Sequence, residues 1–349
     1  MITSTAPHCQ ANDWKSALAA AIRDPRDLLA ALGLDEAQLP EPLDPAPAFP
    51  LRVPLPFVAR MRRADPHDPL LRQVLGLRRE LESPPGFVRD PVGDIAAAAR
   101  PGLLHKYQGR ALIVATGACP VHCRYCFRRH FPYAEARSGD AQWQQTLAHL
   151  AEDPTIHEVI LSGGDPLSLD TDRLRRLTNG LRHIPHLRRL RLHTRMPVVL
   201  PQRIDDELLC WLHELPWPVA LVIHANHANE FDLPLREALD RCRGAGTSLL
   251  NQSVLLRGVN DSEDALAALS EALFAAGVLP YYLHLLDRVQ GAAHFEVAEA
   301  HARQLLEGLR RRLPGYLVPR LVRESAGAPY KQLADTPVLP AADHDGSAG

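Results

Sequence analysis

Short apolar runs and amphipathic stretches alternate along the chain from residue 105 onward, and this alternation constrains the fold more than any other feature. The apolar runs predict six strands, at 111–116, 158–162, 190–194, 219–224, 249–256 and 280–286. The amphipathic stretches predict helices at 141–152, 171–183, 205–214, 234–244, 262–276 and 296–312. Nearly continuous apolar strands that alternate with helices indicate an α/β fold with a parallel sheet. Six such units are too few for a closed eight-stranded barrel.

The first 100 residues do not share this alternation. They predict a helix over 14–32 and a second helix over 69–81. Between the two, prolines at 40, 42, 45, 47, 50, 54 and 56 predict an extended connector, because proline lacks the amide hydrogen that regular structure needs. We expect an N-terminal helical and proline-rich extension at 1–100, a core at 101–315, a C-terminal segment at 316–340 and a disordered tail at 341–349.

The composition excludes some classes of function. The 349 residues contain 39 Lys and Arg against 41 Asp and Glu, which gives a formal net charge of −2. This balance disfavours a general attraction to nucleic acid or to anionic membranes, and the dense arginines of 173–195 are interpreted as a solvated helix face. No run approaches the ~18 apolar residues of a membrane span. We expect neither nucleic acid nor membrane as a partner.

Three cysteines, Cys119, Cys123 and Cys126, lie close together with the spacing C-x3-C-x2-C. Three thiolates can hold three irons of a [4Fe-4S] cluster and leave the fourth iron open to a small chelating molecule. Zinc stays an alternative because His122 and His130 lie nearby, although no second cysteine pair accompanies the motif. A disulfide is disfavoured because the other cysteines are scattered, at Cys9, Cys210 and Cys242. With no secretory leader at the start of the sequence, we expect a reducing compartment, the cytoplasm.

With Tyr125 before its third cysteine, the motif resembles the signature of the radical S-adenosylmethionine (SAM) enzymes. The resemblance implies an open (β/α)6 partial barrel in which the open iron chelates SAM, and Tyr125 near the adenine. The segment Gly163-Gly164-Asp165 follows the second predicted strand and resembles the family's segment at the SAM amino group. Polar residues also end the later strands and predict a cavity at that edge: His193, Thr194, Arg195, His224, Asn251, Gln252 and Asp287. Of these, Gln252 is assigned to cofactor binding.

Over roughly 65–337 the chain also resembles the lysine 2,3-aminomutases, which combine this radical chemistry with pyridoxal 5′-phosphate (PLP). The resemblance is carried by runs in the same order: DPHDPLLRQVL, CRYCFRR, LSGGDPL, HTRMPV, NQSVLLRGVND and HLLDRVQGAAHF. PLP needs a lysine for its resting Schiff base, and the sequence has only Lys15, Lys106 and Lys331. Lys331 matches the family's Schiff-base lysine. Lys106, Tyr107 and Arg110 match a segment near the cofactor and are expected to help bind its phosphate.

The same resemblance implies the contacts with a lysine substrate. Arg128 matches the position that binds the carboxylate, for which a guanidinium is well suited. Asp287 and Glu324 match the two acidic positions that hold the distal ammonium, whose desolvated charge needs compensation. Glu324 departs from the pattern, because the enzymes that act on free lysine carry Asp there. The Gly-rich run before Lys331 is reduced to SAGAPY at 325–330.

A third departure is that no cysteine follows Cys242, whereas the catabolic enzymes carry a zinc-binding cysteine cluster in a C-terminal extension. Together these departures resemble the branch that supplies (R)-β-lysine to the ligase that modifies translation elongation factor P. We therefore expect an isomerase that converts L-α-lysine to (R)-β-lysine, with a flavodoxin or ferredoxin as reductant. Two alternatives stay open: an aminomutase that acts on free lysine, glutamate or arginine, and an iron-sulfur protein without catalytic activity.

Overall fold

One ten-stranded sheet forms the framework of the protein. The computed structural model describes residues 13–133, apart from 46 and 48, and residues 140–335. The strands follow one another across the sheet in sequence order. They are β1 (Ala98–Arg100), β2 (Leu103–Tyr107), β3 (Arg110–Thr116), β4 (Glu158–Gly163), β5 (Arg189–Thr194), β6 (Val219–Ile223), β7 (Ser248–Val254), β8 (Leu279–His284), β9 (Arg320–Arg323) and β10 (Gln332–Leu333). Strands β3 to β9 are parallel, and β1, β2 and β10 extend the two edges in antiparallel pairings.

Helices follow the parallel strands and cover the sheet. The helices of the described residues are α1 (Asp13–Ala19), α2 (Pro25–Leu32), α3 (Leu55–Val58), α4 (Asp140–Glu152), α5 (Thr171–Leu181), α6 (Met196–Val199), α7 (Asp206–Glu214), α8 (Leu233–Gly244), α9 (Glu263–Ala275) and α10 (Glu299–Arg312). Each strand from β3 to β8 precedes at least one of them, which gives six βα units. None of these helices has the length and apolarity needed to span a membrane.

The open (β/α)6 partial barrel with an N-terminal helical extension, predicted from the sequence, is confirmed. Alternate side chains of the parallel strands, such as Ile113, Leu161 and Leu192, belong to the main hydrophobic core. The intervening positions line a cavity. Four strands were not predicted: β1, β2, β9 and β10. They lie at the two edges of the sheet.

Two helix predictions in the N-terminal extension were wrong. The helix predicted over 14–32 is divided into α1 and α2, because Asp24 caps a new helix that begins at Pro25. The helix predicted over 69–81 is replaced by two 3₁₀ turns, Leu71–Gln73 and Arg78–Leu81, with Leu77 extended between them. This change of direction lets the segment bury Gln73 and Glu80, two polar side chains that contact the cysteine loop.

The N-terminal extension shares its core with the barrel. Leu28, Phe57 and Leu70 belong to the same buried cluster as Leu174 and Trp211 of the barrel helices. The division of the chain at 100, 315 and 340 stays a prediction. The predicted tail at 341–349 lies outside the described residues.

Candidate active site

The inward side chains of the strands and the loop after β3 enclose a cavity of about 480 Å³. The residues assigned to the cluster, the cofactors and the substrate all line it: Lys106, Tyr107, Arg110, Cys119, Cys123, Tyr125, Cys126, Arg128, Gly163, Gly164, Asp165, Gln252, Asp287, Glu324 and Lys331. Asn251, which was also predicted at this edge, instead bonds to the backbone of Ala225. The structure therefore brings the residues predicted for the cluster, the cofactors and the substrate to one place. Their individual roles stay predictions.

The cysteine loop, residues 117–131, follows β3 and carries three thiols that affect one another. Burial raises the pKa of Cys126 to about 11, with a further contribution from Cys123. Burial also raises the pKa of Cys119 well above its usual range, and Asp165 and the other two thiols add to the effect. Three neighbouring thiols cannot all ionise without a compensating positive charge, which metal ions supply. This donor set fits a cubane cluster held by three cysteines.

Each of the two histidines considered as zinc ligands has one ring nitrogen in contact with a backbone carbonyl oxygen. Nδ1 of His122 lies 2.8 Å from the Pro50 carbonyl oxygen, and Nε2 of His130 lies 3.1 Å from that of Gln290. Across the described residues, no three His, Cys, Asp or Glu side chains are placed to hold a single metal ion.

The N-terminal extension fixes the shape of the cysteine loop. Glu80 accepts hydrogen bonds from Arg124 Nε and Arg129 Nη2, each at 2.7 Å. The amide of Arg124 donates to the Gln73 carbonyl oxygen over 2.8 Å. Because Arg124 and Arg129 flank Cys126, one buried carboxylate positions the loop on both sides of a cysteine. Glu80 was not predicted from the sequence, although a buried arginine such as Arg124 needs an acidic partner.

The glycine segment after β4 packs directly on the cysteine loop. The amide of Gly164 donates to the Thr116 carbonyl oxygen over 2.7 Å, and the amide of Asp165 donates to that of Ala118 over 2.8 Å. A Cβ atom at Gly164 would lie 2.3 Å from the Ala118 oxygen, and Gly163 has a φ of +119°. Both positions therefore require glycine.

Asp165 joins the ends of two strands. Its carboxylate accepts hydrogen bonds from Thr194 Oγ1 and from the amide of Arg195, both at 2.7 Å. Burial raises the pKa of Asp165 to about 6, although these hydrogen bonds oppose the shift. This arrangement fixes Arg195 at the end of β5, on the cluster side of the cavity.

Arg195 contacts a cysteine predicted to bind the cluster, a role that the sequence did not assign. It donates to Cys123 Sγ over 2.9 Å and to Gln73 Oε1 over 2.8 Å, and it also contacts the Tyr125 hydroxyl. That hydroxyl accepts a hydrogen bond from Asn226 Nδ2 over 2.6 Å. Tyr125 is therefore held in a polar network beside the cysteines, and hydrogen bonds to cluster sulfurs influence the reduction potential.

On the opposite side of the cavity, charged residues from distant segments meet. Lys331 Nζ donates to Glu324 Oε2 over 2.7 Å, and Lys106 Nζ donates to Glu324 Oε1 over 2.9 Å. Burial alone would raise the pKa of Glu324, but Lys331 and Lys106 hold it well below its usual range. Glu324 therefore remains ionised and pairs with two ammonium groups at once.

Asp94 connects Lys106 and Glu324 to Arg128. The sequence did not predict this role. Its Oδ1 lies 2.5 Å from Lys106 Nζ, and its Oδ2 accepts a hydrogen bond from Arg128 Nε over 2.6 Å. Arg128 also donates from Nη1 to Ser162 Oγ over 3.2 Å. These contacts leave Nη2 of Arg128 without a hydrogen bond to any described residue. No motif surrounds Asp94, so its sequence context carries no signal of this position.

Asp287 is a carboxylate without a cationic partner nearby. In the described parts of the chain, no side-chain nitrogen of Lys, Arg or His lies within 4 Å of its carboxylate oxygens. Burial raises its pKa to about 7, and the charge of Glu324 adds to this, whereas Lys331 and Lys106 oppose it. A carboxylate of this kind, exposed to a cavity, is suited to binding a cation from outside.

The remaining predicted cofactor residues lie along the wall between these two sides. Gln252 Nε2 lies 2.8 Å from His224 Nε2, at the ends of β7 and β6. The Arg110 guanidinium stacks 4.8 Å from the centre of the Tyr107 ring. Burial raises the pKa of the Tyr107 hydroxyl, and the nearby charge of Glu324 strengthens the shift.

Comparison with known proteins agrees with this geometry. Residues 113–269 match the model of the Radical SAM superfamily, the class that the fold and the three thiols indicate. L-lysine 2,3-aminomutase from Escherichia coli (strain K12) is 48% identical over 324 residues, which cover 93% of this chain and 94% of that protein. The enzyme of the same name from Haemophilus influenzae is 47% identical over 321 residues, which cover 92% of this chain and 95% of that protein. The chain belongs to the L-lysine 2,3-aminomutase family of radical SAM enzymes.

Membership of this family makes the protein an isomerase and confirms the family predicted from the sequence. A [4Fe-4S] cluster and SAM are the cofactors of radical SAM enzymes, and lysine 2,3-aminomutases depend on PLP. A radical SAM methyltransferase from Sphaerobacter thermophilus matches with a TM-score of 0.45 and 18% identity, over 63% of this chain and 68% of that chain.

Proposed function

We propose that the protein converts L-α-lysine to (R)-β-lysine by moving the amino group from C2 to C3. One observation carries this proposal: a single cavity is lined by three convergent thiols, by Lys331, by the Arg128 guanidinium and by the carboxylates of Asp287 and Glu324. A cation and a pair of acids complement the two ends of lysine, whose carboxylate and distal ammonium carry opposite charges.

Each of these residues has a task in the reaction. Cys119, Cys123 and Cys126 hold the cluster, and Lys331 attaches PLP. The cluster and SAM supply a carbon-centred radical, and PLP supplies a conjugated system that stabilises an unpaired electron during migration. Arg128 orients the carboxylate of the substrate through its free Nη2. The buried walls exclude water, which protects a radical from side reactions.

The charges of the cavity favour lysine over an acidic amino acid. Arg128, Lys106 and Lys331 are cationic, and Asp94, Glu324 and Asp287 are carboxylates. PLP bound to Lys331 would take that nitrogen away from Glu324, with which it pairs in this structure. The vacancy suits a distal ammonium and repels the second carboxylate of glutamate.

We further propose that the product serves the modification of translation elongation factor P, in the cytoplasm, with a flavodoxin or ferredoxin as electron donor. The departures of the sequence at Glu324 and in the run before Lys331 support this branch of the family. The two relatives at 48% and 47% identity are matched over 94% and 95% of their own lengths.

Product analysis tests the catalytic proposal. The protein is reconstituted without oxygen using iron, sulfide and PLP, then supplied with SAM, a reductant and L-lysine, L-arginine or L-glutamate. Chiral chromatography is expected to show (R)-β-lysine from lysine and no β-amino acid from glutamate. Protein with full iron and PLP content that forms no β-lysine would contradict the proposal.

The cellular role has a separate test. Deletion of the gene in its host is expected to leave elongation factor P lighter by the mass of a β-lysyl group, and added (R)-β-lysine should restore the modified mass. An elongation factor P of unchanged mass in the deletion strain would disprove the supply role and leave the catalytic proposal intact.

A further inference from the structure

Four charged side chains connect the two sides of the cavity that meet the ends of the substrate. They are Arg128, Asp94, Lys106 and Glu324, joined in that order by contacts of 2.6, 2.5 and 2.9 Å. We call these four residues the charge chain. Positive and negative groups alternate along it, so each link is attractive.

The charge chain is shielded from solvent. The exposed fraction of the side chain is 2% for Asp94, 10% for Arg128, 13% for Glu324 and 16% for Lys106. Lys106 Nζ also donates to the Val92 carbonyl oxygen over 2.9 Å, and the amide of Asp94 donates to Asp90 Oδ1 over 2.9 Å. Shielded ion pairs with additional hydrogen bonds are screened far less than surface pairs and hold their geometry.

The charge chain also crosses the gap in the open sheet. Lys106 belongs to β2 near one edge of the sheet, and Glu324 follows β9 near the other edge. The loop that carries Asp94 packs on the segment after Glu324, since a Cβ atom at Gly93 would lie 3.0 Å from the Cβ atom of Ala326. The position of Glu324 relative to Arg128 therefore depends on Asp94 and Lys106.

Glu324 already binds a primary ammonium of the kind that lysine carries. Its Oε2 accepts a hydrogen bond from Lys331 Nζ over 2.7 Å, while Lys106 occupies Oε1. With PLP held by Lys331, Oε2 would be left for the distal ammonium of a substrate. Lys106 keeps the carboxylate in place during that exchange.

We propose that Asp94 and Lys106 act as a spacer that fixes the separation between Arg128 and Glu324, and thereby sets the length of amino acid that the site accepts. The inference depends on the proposed function, because it takes Arg128 and Glu324 as the contacts for the two ends of lysine. It gives Lys106 a positioning role in place of a contact with the PLP phosphate. L-ornithine has the same charged groups but one methylene fewer, so it cannot satisfy both ends.

Two substitutions and a matched control test the spacer. Lys106→Met keeps the aliphatic chain and removes the ammonium, and Asp94→Asn keeps the shape and removes the charge. Lys106→Arg restores the cation. Lys15→Met is the control, because Lys15 pairs with Asp170 at the surface. Dissociation constants for L-lysine and L-ornithine are measured by equilibrium dialysis on protein loaded with iron, sulfide and PLP, together with KM and kcat.

Lys106→Met and Asp94→Asn are expected to raise the Kd and KM for lysine by at least about tenfold, as truncation of a buried charge pair does. The values for ornithine should change much less, so the preference for lysine over ornithine falls by a similar factor. Lys106→Arg should recover most of this preference, and Lys15→Met should retain all of it. Iron content and the Lys331-PLP adduct trapped by borohydride should remain at the wild-type level.

An unchanged preference for lysine over ornithine in Lys106→Met and Asp94→Asn would overturn the proposal that Asp94 and Lys106 act as a spacer. Loss of the trapped PLP adduct in Lys106→Met would overturn it too, since Lys106 would then serve the phosphate. A wild-type protein that binds lysine over ornithine but forms no β-lysine would defeat the proposed function alone. A wild-type protein that binds neither amino acid would defeat both.

Discussion

The cluster side and the lysine side of the cavity are built in different ways. The predicted cluster ligands Cys119, Cys123 and Cys126 lie in one continuous loop after β3, and distant residues such as Glu80 hold that loop in shape. On the lysine side, Lys106 and Glu324 are 218 residues apart in the sequence and meet through charge. The predicted metal ligands are thus close together in the sequence, whereas the predicted substrate contacts come together only when the two edges of the open sheet meet. The two sides should therefore fail independently when residues are changed.

The strongest test on the cluster side is removal of one thiol. Cys123→Ala leaves two cysteines, too few for a cubane cluster with one open iron. We expect loss of the cluster's electron paramagnetic resonance signal and loss of all turnover. Cys210→Ala is the control, because Cys210 is exposed and lies on α7. Turnover by Cys123→Ala would end the radical hypothesis for this chain.

The strongest test on the lysine side is Lys331→Ala. Without the ammonium there is no group to attach PLP, so turnover should fall below detection while iron content remains at the wild-type level. Iron analysis and the absorbance of bound PLP measure the two outcomes on one sample. Loss of iron in this variant would mean that the two sides are coupled.

Asp287→Asn is expected to lower kcat/KM by less than Cys123→Ala or Lys331→Ala does, and the size of its effect should depend on pH. Since the pKa of Asp287 is raised to about 7, its carboxyl group is mostly protonated below that pH and mostly ionised above it. Only the ionised form attracts the ammonium of lysine, so kcat/KM of the wild type should increase as the pH rises through about 7. The variant should lose this increase, and at pH 8 its kcat/KM should be lower by at least about tenfold. An identical pH profile for both proteins would remove Asp287 from the substrate site.

Gly164→Ala is expected to lower the iron content of the protein, and this is the smallest of the four expected effects. The added Cβ atom would lie 2.3 Å from the Ala118 oxygen, so the cysteine loop must shift. We expect iron content to fall at least about fivefold, because overpacking against backbone costs about 1 kcal/mol or more. Gly244→Ala is the matched control, because nothing lies within 4 Å of a Cβ atom there. A wild-type iron content in Gly164→Ala would show that the cysteine loop adapts to the added methyl group. An altered Kd for lysine in this variant would show that the cluster side and the lysine side do not fail independently.

The sequence predicts the parts of this protein that depend on local spacing. The three cysteines, the six βα units and the position of Gly163-Gly164 after β4 follow from short patterns. The pairing of Asp94 with Lys106 and Arg128 does not, because it requires the edge strands β1 and β2, which are too short to leave a periodic signal. The helix predicted over 69–81 was wrong for a related reason. Its periodicity is helical, but tertiary contacts of Gln73 and Glu80 with the cysteine loop override it.

Glu80 has a consequence for the lifetime of the enzyme. Oxygen damage strips iron from exposed cubanes, and a loop shaped by the metal alone would then unravel. Here the Glu80 carboxylate holds Arg124 and Arg129 on either side of Cys126 through protein contacts only. These ion pairs would keep the loop in shape after iron is lost, so restoring the cluster would need iron and sulfide and no refolding of the loop.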